Sequence, residues 1–123
     1  MFCIKRITDE RMAARILGSF GVDGPAAMVY GAFEDGAVLA TAVFLEKEDC
    51  LVMEDIDTGK RTDASLADAM AQAAFHAGVR IGIRQGQLGE KLPQELRLAL
   101  TKRGYDMGQA FSLKAFFEKK RKP

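Results

Sequence analysis

The hydrophobic and polar positions at the start of the chain predict a strand followed by a helix. The apolar run at residues 2–8 is rich in Ile and is the candidate first strand. After it, apolar residues recur at i, i+3, i+4 and i+7, the spacing of one face of an amphipathic helix. They are Ala13, Ile16, Leu17 and Phe20. Gly18 and Gly21 are expected to mark the end of this helix.

Three apolar runs in the middle of the chain predict an antiparallel meander. The first two, residues 26–33 and 37–46, flank the dipeptide Asp35-Gly36. This dipeptide is typical of a tight hairpin turn, because both of its residues tolerate a positive φ. The third run, residues 50–56, follows a polar turn at residues 46–49.

The pattern changes to a helix at residue 63 and is expected to stop at Gly78. Seven alanines in this window favour a helix. One predicted face carries Leu66, Met70, Ala73, Ala74 and Ala77. Phe75 lies opposite that face and is expected to contact another helix or to be half exposed. Residues 79–85 are predicted as a strand, which completes a βαβ unit with two parallel strands.

The last third predicts a loop, a helix and a final strand. Residues 86–91 are the loop, and residues 92–104 are the helix, with Gly104 just past its end. Residues 106–117 alternate apolar and polar positions as a strand does, with Phe116 facing away from the rest. Such a two-faced edge is compatible with a homodimer and equally with burial in the core. The order is β-α-β-β-β-α-β-α-β, a mixed sheet of the α+β or α/β class.

Length and composition fit one domain with a short basic tail. The chain has 123 residues with 48% hydrophobic and 28% charged residues, so we expect a single domain at residues 1–118 and a tail at residues 119–123. Four of the last five residues are basic, and the remainder carries 14 basic against 17 acidic residues. Without a basic face or an aromatic platform, nucleic-acid binding is not expected.

Other features exclude further classes of function. No apolar run reaches the roughly 18 residues of a membrane span, and no signal-peptide core is present. Cys3 and Cys50 have no metal-ligand spacing, and the only histidine, His76, has no ligand partner, so no metal site is predicted. We expect free thiols, which suit the cytoplasm, and one bridge between them is the alternative.

A further pattern lies between the run at residues 50–56 and the helix that follows. Arg61, Ala64 and Leu66 stand directly before and at the start of that helix. With the order of elements, this resembles the GNAT superfamily of acyl-CoA-dependent N-acyltransferases. The family's signature has Arg or Gln, then Gly, then Gly or Ala at these three positions. Gly104-Tyr105 is similar to the Gly-aromatic end of the family's closing helix.

The resemblance implies an acyl-CoA cofactor, acetyl-CoA or another, and a small-molecule or peptide amine as acceptor. It implies that Glu54 is the general base, with Asp55 and Asp57 strengthening its proton affinity by like-charge repulsion. Ile56 would offer its backbone to the pantetheine arm. The residues implied to hold the pyrophosphate are Arg61, Thr62, Asp63, Ala64, Ser65, Leu66 and Ala67.

The residues of this loop predict weak or absent binding of the cofactor. A helix start attracts phosphate through its unpaired N–H donors, but Asp63 is predicted as the N-cap and would occupy those donors. Leu66 adds a branched side chain where the family has a small residue. The loop region has two basic residues, Lys60 and Arg61, and five acidic ones, whose excess negative charge would repel the phosphates of coenzyme A. The acidic residues are Glu54, Asp55, Asp57, Asp63 and Asp68.

Two hypotheses about function therefore stay open. The first is an acetyl-CoA-dependent N-acetyltransferase. The second is a GNAT-like domain without transfer activity, which would serve as a binding or dimerisation module. The family often places a Tyr near Leu100 to protonate the leaving thiolate, and this chain has none there. Tyr30 and Tyr105 are expected to be packing residues.

Overall fold

The sheet in the computed structural model, which describes residues 1–22, 24 and 26–121, has six strands that follow one another in sequence order. They are β1 (Phe2–Arg6), β2 (Ala27–Glu34), β3 (Ala37–Lys47), β4 (Cys50–Asp57), β5 (Gln85–Leu88) and β6 (Phe111–Ser112). Neighbouring strands are antiparallel except β4 and β5, which are parallel. The predicted meander and the predicted βαβ unit are therefore confirmed.

Four helices accompany the sheet: α1 (Glu10–Phe20), α2 (Ala64–Arg80), α3 (Gln94–Thr101) and α4 (Leu113–Arg121). The Asp9 carboxylate accepts a hydrogen bond from the Met12 N–H at 2.9 Å and caps α1, and Gly21 ends that helix with a φ of 69°. The predicted order of nine elements is confirmed, and α4 follows it as a tenth. The resulting mixed sheet with flanking helices is an α+β fold.

Two tight turns set the register of the meander. Asp35 and Gly36, with φ values of 50° and 85°, connect β2 to β3. Glu48 and Asp49, with φ values of 42° and 64°, connect β3 to β4 in the same way. Two successive positive φ values give a turn whose twist matches that of the flanking strands. The pattern of residues 26–56 thus predicted three consecutive strands within one or two residues.

Helix α2 covers one face of the sheet, and the main core lies between them. On β2, Tyr30 and Ala32 belong to this core, whereas Val29, the residue before Tyr30, faces the other side, where α1 packs. Phe75 of α2 is fully buried, with its ring edge-on to Phe44 at 5.9 Å. Of the two alternatives predicted for Phe75, half exposure is therefore wrong, because α2 is buried on more than one stripe.

The strand predicted at residues 79–85 was placed too early. Helix α2 continues through Gly78 to Arg80, and the Gly78 carbonyl then accepts the N–H groups of Ile81 and Ile83 at 3.1 and 2.9 Å. Gly82 turns the chain with a φ of 97°. β5 therefore begins at Gln85, the last residue of the predicted strand, and its other three residues lie in the segment predicted as a loop. Gly78 is therefore a buried residue within the helix and does not mark its end, contrary to the expectation from the sequence.

The long final strand predicted at residues 106–117 was also wrong. Only Phe111–Ser112 joins the sheet, and α4 begins at Leu113. Leu113, Phe116 and Phe117 are all buried, and their i, i+3, i+4 spacing is that of a helix face. The possible homodimer was predicted from a long two-faced edge strand. A strand of two residues does not provide such an edge. The first three residues of the predicted basic tail continue α4, and Lys122 and Pro123 lie outside the described residues.

Candidate functional site

The two parallel strands separate in the middle of the sheet. β4 and β5 pair from Cys50 with Gln85 to Met53 with Leu88, and the Gly89 N–H donates to the Met53 carbonyl at 2.9 Å. β4 then continues to Asp57 against β3 alone. A Cβ on Gly89 would lie 2.7 Å from the Met53 oxygen, so only glycine fits here. We call the opening beyond this point the β4–β5 split.

A β-bulge lies on β4 at the same level. Asp55 pairs with Val43 and Met53 with Phe44, so Glu54 is an extra residue without a partner on β3. The bulge resets the alternation of the strand, and Met53 and Ile56 both enter the main core. A regular strand would place Glu54 on the same face as Ile56, two residues later, but the bulge removes that relation.

The Glu54 carboxylate lies within reach of a lysine across the split. Its side chain is 15% exposed, and its oxygen is 4.0 Å from the Lys91 ammonium. Asp55 and Asp57 were expected to act on Glu54 by repulsion. Each of their carboxylates accepts a backbone N–H, from Ile56 and Gly59 respectively, at 2.8 Å. A cation, which the sequence analysis did not anticipate, thus accompanies Glu54.

Ile56 lies on the part of β4 that pairs with β3 alone, and its N–H is engaged. The Asp55 carboxylate accepts this N–H from within the same strand. A strand N–H that meets no neighbouring strand is the group an incoming ligand would use. Asp55 therefore competes with any ligand backbone or amide that enters the split at this point.

The loop between β4 and α2 is held by one hydroxyl. Thr58 donates from its Oγ1 to the Arg61 carbonyl at 2.7 Å and accepts the Asp63 N–H at 3.2 Å. Gly59 has a φ of 88°, which permits the tight turn. The loop and the start of α3 enclose a cleft of about 180 Å³. Thr58 gives no signal in the sequence, because a threonine in a polar loop has no distinctive spacing.

The start of α2 retains free donors. The Asp63 carboxylate accepts the Leu66 N–H at 3.0 Å, which confirms the predicted N-cap. No hydrogen bond to any described residue engages the N–H groups of Ala64 and Ser65. Leu66 packs against the main core, so its side chain does not fill the space before the helix. Asp63 thus engages one N–H donor of the helix start and leaves two free, whereas it was predicted to occupy these donors.

A buried carboxylate network lies one turn into α2. Asp68 is 8% exposed, and its Oδ1 accepts the Tyr105 hydroxyl at 2.6 Å and the Gln72 amide at 3.0 Å. Arg103 donates to Asp68 Oδ2 at 3.4 Å and to the Ser65 hydroxyl at 2.9 Å. The negative charge of Asp68 is therefore compensated, and the network fixes the first turn of α2 to the segment after α3.

Tyr105 is a packing residue, as expected. It is 1% exposed, and its phenol is committed to Asp68. Burial raises the pKa of Tyr105 far above its usual range, and the hydrogen bond and charge of Asp68 add to that shift. No sequence pattern indicates this network, because its contacts join residues at least 35 positions from each other. The exception is the Asp68–Gln72 pair within α2.

The remaining candidate residues lie away from the split. Cys3 is exposed and Cys50 is buried, and both thiols are free. His76 stacks on Phe117 with ring centroids 3.7 Å apart. Partial burial lowers the pKa of His76, and the charges of Arg80 and Arg121 lower it further. In the part of the chain that the structure describes, no three His, Cys, Asp or Glu residues cluster as metal ligands. No helix there has the length and apolar content of a membrane span.

Comparisons with known proteins place the fold. No family model matches the sequence, and no curated protein matches it either. The ribosomal-protein-S18-alanine N-acetyltransferase from Escherichia coli is similar in structure, with a TM-score of 0.64, 12% identity, and coverage of 89% of this chain and 80% of that chain. A probable acetyltransferase from Staphylococcus epidermidis gives a TM-score of 0.65 at 12% identity, over 91% and 99% of the two chains.

A third similar structure carries the family name in its description. This acetyltransferase of the GNAT family from Staphylococcus aureus gives a TM-score of 0.51 at 8% identity, over 72% of this chain and 73% of that chain. The chain therefore has the GNAT acetyltransferase fold, which confirms the fold implied by the resemblance.

Proposed function

We propose that this GNAT-fold chain is a single domain that binds an acyl-CoA in the β4–β5 split and transfers the acyl group to an amine. The observation that carries the proposal is the split itself. β5 leaves β4 immediately after Met53, and α2 begins beside the free part of β4 with uncommitted N–H groups at Ala64 and Ser65. A helix N-terminus with free donors suits a phosphate.

Some residues around the split favour this cofactor, and one contact opposes it. The proposed pyrophosphate site is the loop and helix start, Arg61 to Ala67, where the side chains of Lys60 and Arg61 are exposed and add positive charge. The Ile56 N–H would meet the pantetheine arm, but Asp55 already holds it. We therefore expect weak binding. Acyl-CoA supplies the acyl group as an activated thioester.

Glu54 is the proposed general base. It lies at the bulge beside the split, and the Lys91 ammonium at 4.0 Å helps to orient its carboxylate. Glu54 accepts the proton that the amine loses, directly or through one water. The amine nitrogen bonds to the acyl carbon and the carbon–sulfur bond breaks. The thiolate takes a proton from solvent, since Tyr105 is committed to Asp68. The products are an amide and a free thiol.

The acceptor is proposed to be a small-molecule or peptide amine. The Escherichia coli structure described above is named for acetylation of an alanine in a ribosomal protein, and this supports the inclusion of peptide N-termini among the acceptors.

The experiment is a thiol-release assay with acetyl-CoA and a panel of amines, including peptides with a free N-terminal alanine. Glu54→Gln should lower the rate about 100-fold, because general base catalysis contributes at least that much. The matched control is Glu90→Gln, an exposed carboxylate next to Lys91, which should keep the parental rate. An unchanged rate in Glu54→Gln would remove Glu54 from the mechanism.

A further inference from the structure

A second and larger cavity lies at the opposite end of α2 from the split. It has a volume of about 730 Å³ and sits between β1, β2 and the second half of the helix, within the range usual for small-molecule sites. Its apolar lining includes Ile4, Met28, Leu51, Ala74, Ile81 and Ile83. Ala77 on its wall is thirteen residues beyond Ala64, a distance of roughly 20 Å along the helix. The acyl-CoA site and this cavity are therefore separate.

A buried tyrosine with a free hydroxyl faces this cavity. Tyr30 is 6% exposed, and its ring packs edge-on against Phe44 at 5.5 Å, so its orientation is fixed. Its hydroxyl makes no hydrogen bond to any of the described residues, although the residue lines the cavity. The hydroxyl is therefore a hydrogen-bond group that is open to a ligand in the cavity, on a side chain whose ring is held by the core.

Two arginines line the same cavity as Tyr30. Arg6 pairs with Tyr30 in the β1–β2 register, and Arg80 stands on the last turn of α2. Burial raises the pKa of the Tyr30 phenol, and the charges of Arg6 and Arg80 lower it. Neither arginine forms an ion pair within the described part of the chain.

The charged residues that line the cavity are basic. No acidic residue contributes to its lining. Lys5 also borders it, but the Lys5 ammonium lies over the Phe33 ring at 5.2 Å on the opposite face of the sheet. The cavity thus combines an apolar wall with one cluster of three donors for an anion: the Tyr30 hydroxyl and the guanidinium groups of Arg6 and Arg80.

We propose that this cavity binds an amphiphilic monocarboxylate, a molecule with one free carboxylate on an apolar chain. The carboxylate accepts hydrogen bonds from the Tyr30 hydroxyl and from Arg6 or Arg80, which offer the fork geometry that a carboxylate matches. The apolar chain lies along the wall formed by β2 and α2. A phosphate alone would leave that wall uncovered, and a neutral chain would leave the two arginines without a partner.

The test is a calorimetric titration of the protein with decanoate, with decanol as the uncharged probe of equal length. Decanoate should bind, and decanol should bind at least about tenfold more weakly, because it lacks the charge-assisted hydrogen bonds. Tyr30→Phe keeps the ring and should weaken decanoate several-fold. Arg6→Ala with Arg80→Ala should weaken it about tenfold or more. Arg15→Ala, an exposed cation on α1, should leave the affinity unchanged.

A second measurement separates this site from the proposed acyl-CoA site. Decanoate should shift the backbone amide resonances of Tyr30 and Ile81 and leave those of Ala64 and Ser65 in place, and excess coenzyme A should not displace it. The proposal is overturned if decanoate fails to bind, if decanol binds equally well, if both arginine substitutions leave the affinity unchanged, or if coenzyme A displaces decanoate.

Discussion

The Asp55 carboxylate accepts the N–H of Ile56, the next residue on the same strand, at 2.8 Å. This contact lies on the part of β4 that β5 has left, where the N–H would otherwise face the split. A ligand that needs this N–H must displace the carboxylate and tolerate its negative charge. Weak acyl-CoA binding was predicted from Asp63, Leu66 and the acidic residues of the loop. This contact on β4 is a different structural cause of weak binding.

Replacement of Asp55 by alanine should strengthen acetyl-CoA binding. The change frees the Ile56 N–H and removes one negative charge, and a net hydrogen bond is worth about 0.5–1.5 kcal/mol, or roughly two- to tenfold in affinity. Isothermal titration of acetyl-CoA into both proteins measures the effect. Glu46→Ala removes an exposed carboxylate at the far end of β3 and should change nothing. Equal affinity of Asp55→Ala and the parent would show that this contact does not limit binding.

Gly89→Ala should destabilise the fold. The added Cβ would lie 2.7 Å from the Met53 carbonyl oxygen and 3.1 Å from the Glu54 Cα, and forced overpacking costs about 1–3 kcal/mol. Urea denaturation measures the change. The control is Gly18→Ala in α1, whose Cβ meets nothing within 4 Å. That substitution should stabilise by up to about 1 kcal/mol. A Gly89→Ala protein as stable as the parent would mean that the strands separate elsewhere.

Tyr105→Phe should cost about 1–3 kcal/mol at neutral pH, because it removes a hydrogen bond from the buried Asp68 carboxylate. Tyr30→Phe removes a hydroxyl that has no protein partner among the described residues, so its cost should be smaller. The two unfolding free energies are compared in urea. If the two costs are equal, the Asp68 network contributes little to stability.

The same tyrosine predicts sensitivity to alkaline pH. Because the pKa of Tyr105 is raised in the folded protein, the unfolded chain loses its phenol proton first as pH rises above about 10. Stability should therefore be complete below that pH and fall above it. The fall should be less steep in Tyr105→Phe. Identical slopes in the two proteins would contradict the burial of this phenol.

His76 predicts a dependence on acidity with the opposite sign. The pKa of this side chain is lowered in the folded protein, so the unfolded chain binds a proton first as pH falls below about 6.5. Stability should be complete above that pH and decline below it. His76 is the only histidine, so His76→Gln isolates the effect. The difference in slope between the two proteins between about pH 7 and pH 6 checks it.

The fold was predictable where local chemistry decides it. Asp35-Gly36 fixes a turn that needs two positive φ values, and the alanine-rich segment after Asp63 has few alternatives to a helix. The errors fell where tertiary packing overrides the pattern. Leu113 and Phe117 fit both a strand and a helix, and burial of Phe116 beside them decides for the helix. β5 was misplaced because its residues, Gln85–Leu88, lack β-branched side chains.

The candidate site was predictable only in outline. The Asp63 cap follows from residue type and position at a helix start, and it was confirmed. The engagement of Ile56 by Asp55 depends on where β5 leaves β4, and the proximity of Lys91 to Glu54 depends on how the loop after β5 turns. Neither is encoded by spacing along the chain. Their assignment as cofactor and catalytic residues stays a prediction.

The most direct test of the central claim is a titration of isotope-labelled protein with coenzyme A, followed through its backbone amide resonances. The account predicts shifts that concentrate at Ala64, Ser65 and Ile56, at millimolar coenzyme A in the parent and at lower concentration in Asp55→Ala. The absence of shifts at these three amides in both proteins, or shifts confined to another surface, would contradict the claim that the β4–β5 split holds an acyl-CoA.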